Sequence, residues 1–204
     1  MPRAQKHAEK GERTRLAILK SAVELFGEKG YRATSISQIA KRAGVVQSAL
    51  HHHFGAKEMV LEEALKLHYP SSVSRPDMIS VAAGKTEFVD ELMAAARRNI
   101  KDPELVRFFS VMTGESLTPE HPAHGFFVNR YDVAREGFTD AIAQAKGVRG
   151  EAGRAEISLL VSTLFAASDG LQMQWLRNPQ VDFLAGLERV AAMVRDGLNS
   201  LEQA

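Results

Sequence analysis

The strongest constraint on the fold is a spacing. Apolar residues recur at intervals of three and four along most of the chain, and sustained alternation with a period of two is missing. The first spacing gathers side chains on one face of a helix, whereas the second would gather them on one face of a strand. Leu16, Leu19, Ala22, Val23 and Phe26 thus define an inward face of a first helix, and Gly30 offers a left-handed stop after it. No Asn-Gly or Asp-Gly pair stands between two alternating runs, as a hairpin would require. The expected fold is all-α, with about nine helices.

Three of those helices come early, and the second and third are short. Ser35 with Gln38 has the spacing of a capping box, Ile36, Ile39, Ala40 and Ala43 form one apolar face, and Gly44 closes the second helix. The third spans about 47–53 with Ala49, Leu50 and Phe54 inward, and the fourth starts near Lys57 and stops at Pro70. The segment 70–85 is rich in Pro, Ser and Gly and reads as a connection. Helical pattern then occupies 86–101, 103–113, 126–145, 155–176 and 181–201. Two short helices joined through Ala43-Gly44-Val45 make a helix-turn-helix. Its geometry braces one helix on the DNA backbone and lays the next in the major groove, where base edges are distinguishable.

The charge distribution agrees. Residues 1–60 carry 11 Lys and Arg against 5 Asp and Glu, whereas 61–204 carry 15 against 20, so a basic part precedes an acidic one. The expected division is a DNA-binding domain over 1–60, with a basic N-terminal arm, and a helical domain over 61–204. Arg3, Lys6, Lys10 and Arg13 of the arm follow the backbone or enter a minor groove in one reading, and form a solvated tail in the other. With 45% hydrophobic and 25% charged residues the composition is that of a globular protein. Without an apolar run long enough for a bilayer, and with a charged N-terminus, a cytoplasmic location is expected. The chain has no cysteine, which excludes disulfides, thiolate metal sites and a cysteine nucleophile.

The segment RTRLAILKSAVELFGEKGYRATSISQIAKRAGVVQSALHHHFGAKEMVLEE, residues 13–62, resembles the DNA-binding domain of the tetracycline-repressor (TetR) family of bacterial transcription regulators. Ala22, Leu25, Phe26, Gly30, Thr34, Ile39, Ala40, Ala43-Gly44-Val45, Leu50, His53-Phe54 and Lys57-Glu58 stand in that family's order and spacing. SDGLQMQWLRNPQVD resembles the helix, break and final helix of many members. The resemblance implies that Gln47 and Ser48 reach base edges and that Ala49 meets a thymine methyl. It also implies that Lys57 with the start of the fourth helix grips a phosphate. Thr34 and Ser37 are candidates for phosphate contacts, and Val46 and His52 complete the expected surface. At position 51 the family usually has a tyrosine that meets a phosphate; His51 donates one hydrogen bond there and adds a charge when protonated. Operator affinity is therefore expected to rise towards pH 6. Val46 and Ala56 stand where capping residues are common, which implies less secure helix starts.

His51, His52 and His53 do not form a metal site, because successive helical residues point about 100° apart. His121 and His124, in a Pro-broken segment, fit a loop cap or a pocket wall better than a ligand pair. No Gly-rich phosphate loop, Gly-x-Ser-x-Gly elbow or Glu-x-x-His pair is present, so neither an enzyme nor a cofactor is expected.

The family resemblance further implies a homodimer on a palindromic operator, joined through the last two helices, with a small, largely apolar effector that releases the DNA. Phe88, Met93, Phe109, Met112, Phe126, Phe127, Met173 and Trp175 are the candidate lining of the effector cavity; ordinary core shares this composition. The helix from Ala155 is apolar on several sides and needs burial on more than one face. That face, with Leu184, Leu187, Val190, Ala191, Val194 and Leu198, is a candidate dimer surface, against the alternative of a monomeric core. The competing function is a helical ligand-binding or enzymatic bundle whose basic N-terminus is incidental.

Overall fold

In the computed structural model, which describes residues 3–69 and 74–201, every regular element is a helix. Ten are present: α1 (Arg3–Ala33), α2 (Ile36–Arg42), α3 (Gln47–Phe54), α4 (Lys57–His68), α5 (Ser74–Ala82), α6 (Phe88–Asn99), α7 (Pro103–Glu115), α8 (His124–Lys146), α9 (Glu151–Arg177) and α10 (Phe183–Ser200). The count exceeds the sequence expectation by α5. That helix lies inside the segment read as a connection, whose Pro and Ser content hid a two-turn helix with Pro76 in its first turn. The side chains of Arg3 and Lys6 lie outside the described residues.

The chain packs as two compact units, one formed by Met1–Pro70 with Arg107–Gly125 and the other by Ser71–Val106 with Phe126–Ala204. The division expected at residue 60 follows sequence pattern, whereas packing keeps the whole of α4 with α1–α3 and adds a segment from much later in the chain. The first unit is built on Ile18, Leu19, Phe26, Ile39, Leu50 and Leu61, each no more than 1% exposed, together with Phe108 and Met112 at 0%. Phe108 stacks on Phe26 with ring centroids 6.3 Å apart, which explains why the later segment belongs here. Leu16, assigned inward by spacing, is 43% exposed, because the buried face of α1 is centred on Ile18, Ala22 and Leu25.

The second unit is a helical core in which Phe165 meets Phe88 and Phe138 edge to face and Phe88 and Phe138 are tilted against each other, with centroid separations of 4.8–6.3 Å. Leu187, Ala191, Val194 and Leu198 of α10 are 0–5% exposed and join Ile157, Val161 and Leu164 of α9 in this core. They are internal to one chain rather than available to a second copy, and Leu184 and Val190 also pack against that cluster. The outward residues of α9 and α10 are different ones: Leu159 is 63%, Met173 40% and Met193 71% exposed, with Thr163, Ala166 and Ala192 exposed beside them. Outside the core, the Arg195 guanidinium spans Glu87 Oε2 (2.7 Å) and Asp90 Oδ1 (2.6 Å), fastening α10 to the start of α6.

Candidate nucleic-acid interface

The helix-turn-helix is set by backbone chemistry at its corners. Ser35 accepts from the Gln38 N–H, and the Gln38 side chain accepts from the Ser35 N–H, which completes the capping box at α2. At the other end Gly44 has φ of 69°, and the N–H of Val45 reaches Ala40 O at 3.0 Å, so the chain reverses in a short turn before α3. Arg42 in the last turn of α2 donates to both carboxylate oxygens of Glu28 at 2.6 and 3.0 Å, bracing α2 on α1. Hydrogen bonding from Arg42 holds the Glu28 carboxyl below its ordinary range.

On α3, Leu50 (0%) and Phe54 (8%) face the core. Val46, Gln47, Ser48, His51 and His52 are exposed on the opposite side, Ala49 and His53 flank them half-buried, and Ser37 of α2 is exposed as well. Seven of the nine DNA-contact candidates thus occupy the exposed or flanking surface of α2 and α3. Neither Val46 at the start of α3 nor Ala56 at the start of α4 provides a side-chain cap, whereas α2 has a complete one. The N–H groups of Gln47 and Ser48 at the start of α3 therefore have no side-chain cap, and the helix dipole favours an anion there, whereas in the first turn of α4 the Glu58 carboxylate accepts from its own backbone N–H.

The two remaining candidates are placed differently. Thr34 is 1% exposed; its hydroxyl donates to Gly30 O at 2.7 Å and lies 3.2 Å from Leu25 O, so it ties off the end of α1 instead of facing outward. Lys57 is half-buried. Its ammonium donates to Tyr31 O and Thr34 O, both at 2.9 Å, and sits 4.0 Å from the centre of the Tyr31 ring. Lys57 is thus a cap on the carbonyls that end α1, with one of its three donors left over. The sequence reading took both residues as phosphate contacts, whereas the packing of α1 against α4 engages them with backbone carbonyls of the chain itself.

His51 Nδ1 is 2.8 Å from Gly55 O, and because a carbonyl only accepts, Nδ1 carries the proton. Nε2 then faces the Gln47 amide nitrogen at 3.4 Å as an acceptor. The single N–H of neutral His51 is therefore occupied within the turn. A second N–H, free to reach a phosphate, exists only after protonation.

A polar cluster at the joint of α1 and α4 was not assembled from the sequence. Gly30 breaks α1 with φ 80° and ψ 169°, so its φ is positive as expected but its ψ is not that of a left-handed helix. The N–H of Tyr31 then lacks a helical partner, and Glu115 Oε2 accepts it at 2.7 Å from 84 positions along the chain. A Cβ on residue 30 would lie 2.0 Å from Glu115 Oε1. The Tyr31 hydroxyl donates to Glu58 Oε1 at 2.7 Å, a bond that holds the Glu58 carboxyl below its ordinary range. Burial, followed by Glu58, pushes the tyrosine hydroxyl far above its own range, so it remains a donor. His121 packs edge-on against Tyr31 at 5.1 Å, and its Nδ1 accepts the Ala123 N–H at 3.2 Å. Its Nε2 is buried 3.6 Å from Glu115 Oε2, beyond hydrogen-bond length. His124 Nδ1 donates to Ser116 O at 2.7 Å, so both histidines of this segment serve its turn. The one available signal for the cluster was Gly30: a break inside a long helical pattern leaves an N–H that some other part of the chain must satisfy.

The eight candidates for an effector lining are divided. Phe109, which lies 4.9 Å from Tyr69, and Met112 belong to the first unit. Phe88, Met93, Phe126, Phe127, Met173 and Trp175 belong to the second, where Phe88 and Met93 are core residues at 2% and 7% exposure. Trp175 stacks on Phe183 at 6.3 Å, Phe126 meets Phe127 edge-on at 5.2 Å, and Met173 faces outward. A cleft of about 430 Å³ in the second unit has Phe88 in its wall but none of the other seven; its lining is mixed, with Lys85, Glu87, Lys146 and Arg195 beside Val81, Val89, Ile142 and Leu198. Among the described residues no group of three or more His, Cys, Asp or Glu is disposed to hold a metal ion, and no helix is long and apolar enough to cross a membrane.

Comparison with known proteins bears directly on this surface. Residues 18–64 match the bacterial regulatory proteins of the tetR family. The HTH-type transcriptional repressor KstR2 of Rhodococcus jostii is 45% identical over 56 residues, which are 28% of this chain and 26% of that protein. The chain thus matches about a quarter of the length of such curated relatives. Among solved structures, NalD, the secondary repressor of the MexAB-OprM multidrug efflux pump in Pseudomonas aeruginosa, superposes with a TM-score of 0.71 at 24% identity, covering 92% of this chain and 97% of that one. A SmeT–triclosan complex superposes with a TM-score of 0.70 at 19% identity, covering 90% of each chain. These structures show the shared fold over most of the chain, and the matched N-terminal segment contains the helix-turn-helix. Residues 18–64, which hold the helix-turn-helix, thus match the tetR family of bacterial regulatory proteins, and the rest of the chain shares the fold of the solved structures.

Proposed function

We propose that the protein is a transcriptional repressor rather than an enzyme, binding a palindromic operator as a homodimer and leaving it when a small, largely apolar effector binds. The observation that carries this reading is the outward face of α3. It presents Gln47, Ser48, His51 and His52 beside two helix N-termini without side-chain caps, in the basic part of the chain. Gln47 and Ser48 supply hydrogen-bonding groups for base edges, and the uncapped start of α3 supplies phosphate contacts. Lys57 supports this surface from behind by fixing the end of α1 to the start of α4. His51 strengthens the grip once its Nε2 is protonated.

The dimer is supported by the uncharged outward stripe of Leu159, Thr163, Ala166 and Met173 on α9, next to Ala192 and Met193 on α10. Two-fold pairing through such a surface would repeat the recognition helix on the DNA about one helical turn, roughly 34 Å, away. For the effector, the support is the likeness in fold to SmeT, solved as a complex with triclosan. A ligand releases DNA only if it binds the two states with different affinity.

Selection of a preferred duplex from a random pool, followed by gel shift over a salt series, tests the reading. The expected result is saturable binding to a sequence with two-fold symmetry, with log affinity falling linearly against log salt. Binding without sequence preference, or no binding in 50 mM salt, would show instead a helical bundle whose basic N-terminus is incidental.

A further inference from the structure

The link between α3 and α4 is tighter than it needs to be. Gly55 has φ 75° and ψ −61°, and the Ala56 N–H reaches Phe54 O at 2.9 Å, so residues 54–56 form the rarer, strained form of the three-residue γ-turn. Strained backbone persists where the surrounding structure holds it, and it gathers at functional sites. This turn points the Gly55 carbonyl back at α3, where it meets His51 Nδ1 at 2.8 Å.

The effect passes along the helix to a second side chain. With the proton on Nδ1, His51 Nε2 keeps a lone pair, and the group beside it at 3.4 Å is the amide nitrogen of Gln47, one turn earlier on the same face. A lone pair accepts only from a donor, so the glutamine turns its NH2 group towards the ring. A glutamine amide without such a partner exchanges its two ends freely, and each orientation offers a base the opposite order of donor and acceptor. Gln47 and His51 are both exposed on the outward surface of α3, where a base pair would be met.

We propose that His51 is a positioning residue for base readout: its Nε2, made an acceptor by the Gly55 carbonyl, holds the Gln47 amide in one orientation and so sets a preference for adenine at the base pair that Gln47 reads. One N–H of the amide is then spent on the ring. Oε1 and the other N–H remain side by side, the pair that matches N6–H and N7 of adenine in the major groove. Water competes for the His51–Gln47 bond in the free protein, and its exclusion by the duplex strengthens that bond. The proposal rests on the operator reading above and narrows it to one base and two side chains. Neutral His51 thereby has a role other than a phosphate contact.

The duplex recovered from the random pool supplies the probe. Four versions of it, differing only at the base pair whose preference Gln47→Ala removes, are titrated with the parent, Gln47→Ala, His51→Phe and the double variant at pH 8 and fixed salt. The parent is expected to favour adenine there about tenfold or more. His51→Phe keeps a ring and loses both nitrogens; it is expected to bring the preference down to about threefold or less with the salt slope unchanged, and the double variant to behave as Gln47→Ala. Uniformly weaker binding by His51→Phe with the preference intact would make His51 a phosphate contact and overturn the proposal. A preference for another base, or no change of preference in Gln47→Ala, would overturn it as well. In the free parent protein, nitrogen chemical shifts of the His51 ring are expected to show Nδ1 protonated and Nε2 bare at pH 8; a proton on Nε2 instead would remove the acceptor on which the assignment stands. If the pool yields no preferred duplex, the operator reading and this one fall together, whereas a preferred duplex whose discrimination survives His51→Phe removes this one alone.

Discussion

Replacing Gly30 by alanine tests the physical account of the α1–α4 joint. With φ 80° and ψ 169°, residue 30 lies in a region open essentially to glycine alone, and forcing alanine there costs about 1–3 kcal/mol. The new Cβ would also stand 2.0 Å from Glu115 Oε1, so the carboxylate must leave and the bond from the Tyr31 N–H is lost. An orphaned buried donor costs about 1–3 kcal/mol; the Glu115 side chain is 33% exposed, water will reach part of the gap, and the lower half of that range applies. Gly30→Ala should therefore lose about 2–5 kcal/mol, and Glu115→Ala alone about 1–2 kcal/mol. Because both variants break the same bond, the pair is not additive: in the Glu115→Ala background Gly30→Ala should cost only its backbone share, leaving a coupling of about 1–2 kcal/mol. Urea unfolding of the four proteins, followed by helical circular dichroism, gives the cycle, and amide exchange at Tyr31 reports the bond itself. Additive costs, together with unchanged Tyr31 exchange in Glu115→Ala, would refute the reasoning.

Three further outcomes are expected. Lys57→Met removes the two donors to Tyr31 O and Thr34 O while preserving chain length, and should lower stability by about 1–3 kcal/mol as well as weaken operator binding; weaker DNA binding at unchanged stability would make Lys57 a plain phosphate contact. His121 is held below its ordinary range, first by burial, with the charges of Arg32 and Lys57 acting the same way and Glu115 opposing them. The unfolded chain then binds the proton more readily than the folded one, so stability should fall as pH drops below the ordinary histidine range. His121→Asn should flatten that part of the profile, and an identical slope in both proteins would count against the assignment. Leu159→Lys with Met193→Lys should yield a monomer in analytical ultracentrifugation without loss of helix content, because both side chains are largely exposed in the single chain; a dimer that survives both charges would place the interface elsewhere.

The helix-turn-helix was legible because its signals are local. Capping at Ser35 and Gln38, the positive φ of Gly44, and the outward line of Gln47, Ser48 and His51 opposite Leu50 all follow from residues within one or two turns of each other. The α5 helix was hidden by its composition, and the outward face of α10 was misassigned because apolar periodicity gives the direction of a face without saying what covers it. Leu187 and Val194 have the spacing of an interface and the burial of a core.

By itself the sequence determined the helical class, the turn geometry and the basic half of the chain, since periodicity, glycine and charge act at short range. Only the tertiary structure decided that Thr34 and Lys57 end α1, that His51 uses its one proton on Gly55, and that Glu115 satisfies Tyr31. Each of those depends on a hydrogen-bond partner fixed by the packing of whole helices or by the closing of a turn. A donor's need for an acceptor is written in the sequence, but which acceptor comes within 3 Å is settled only when the chain is folded.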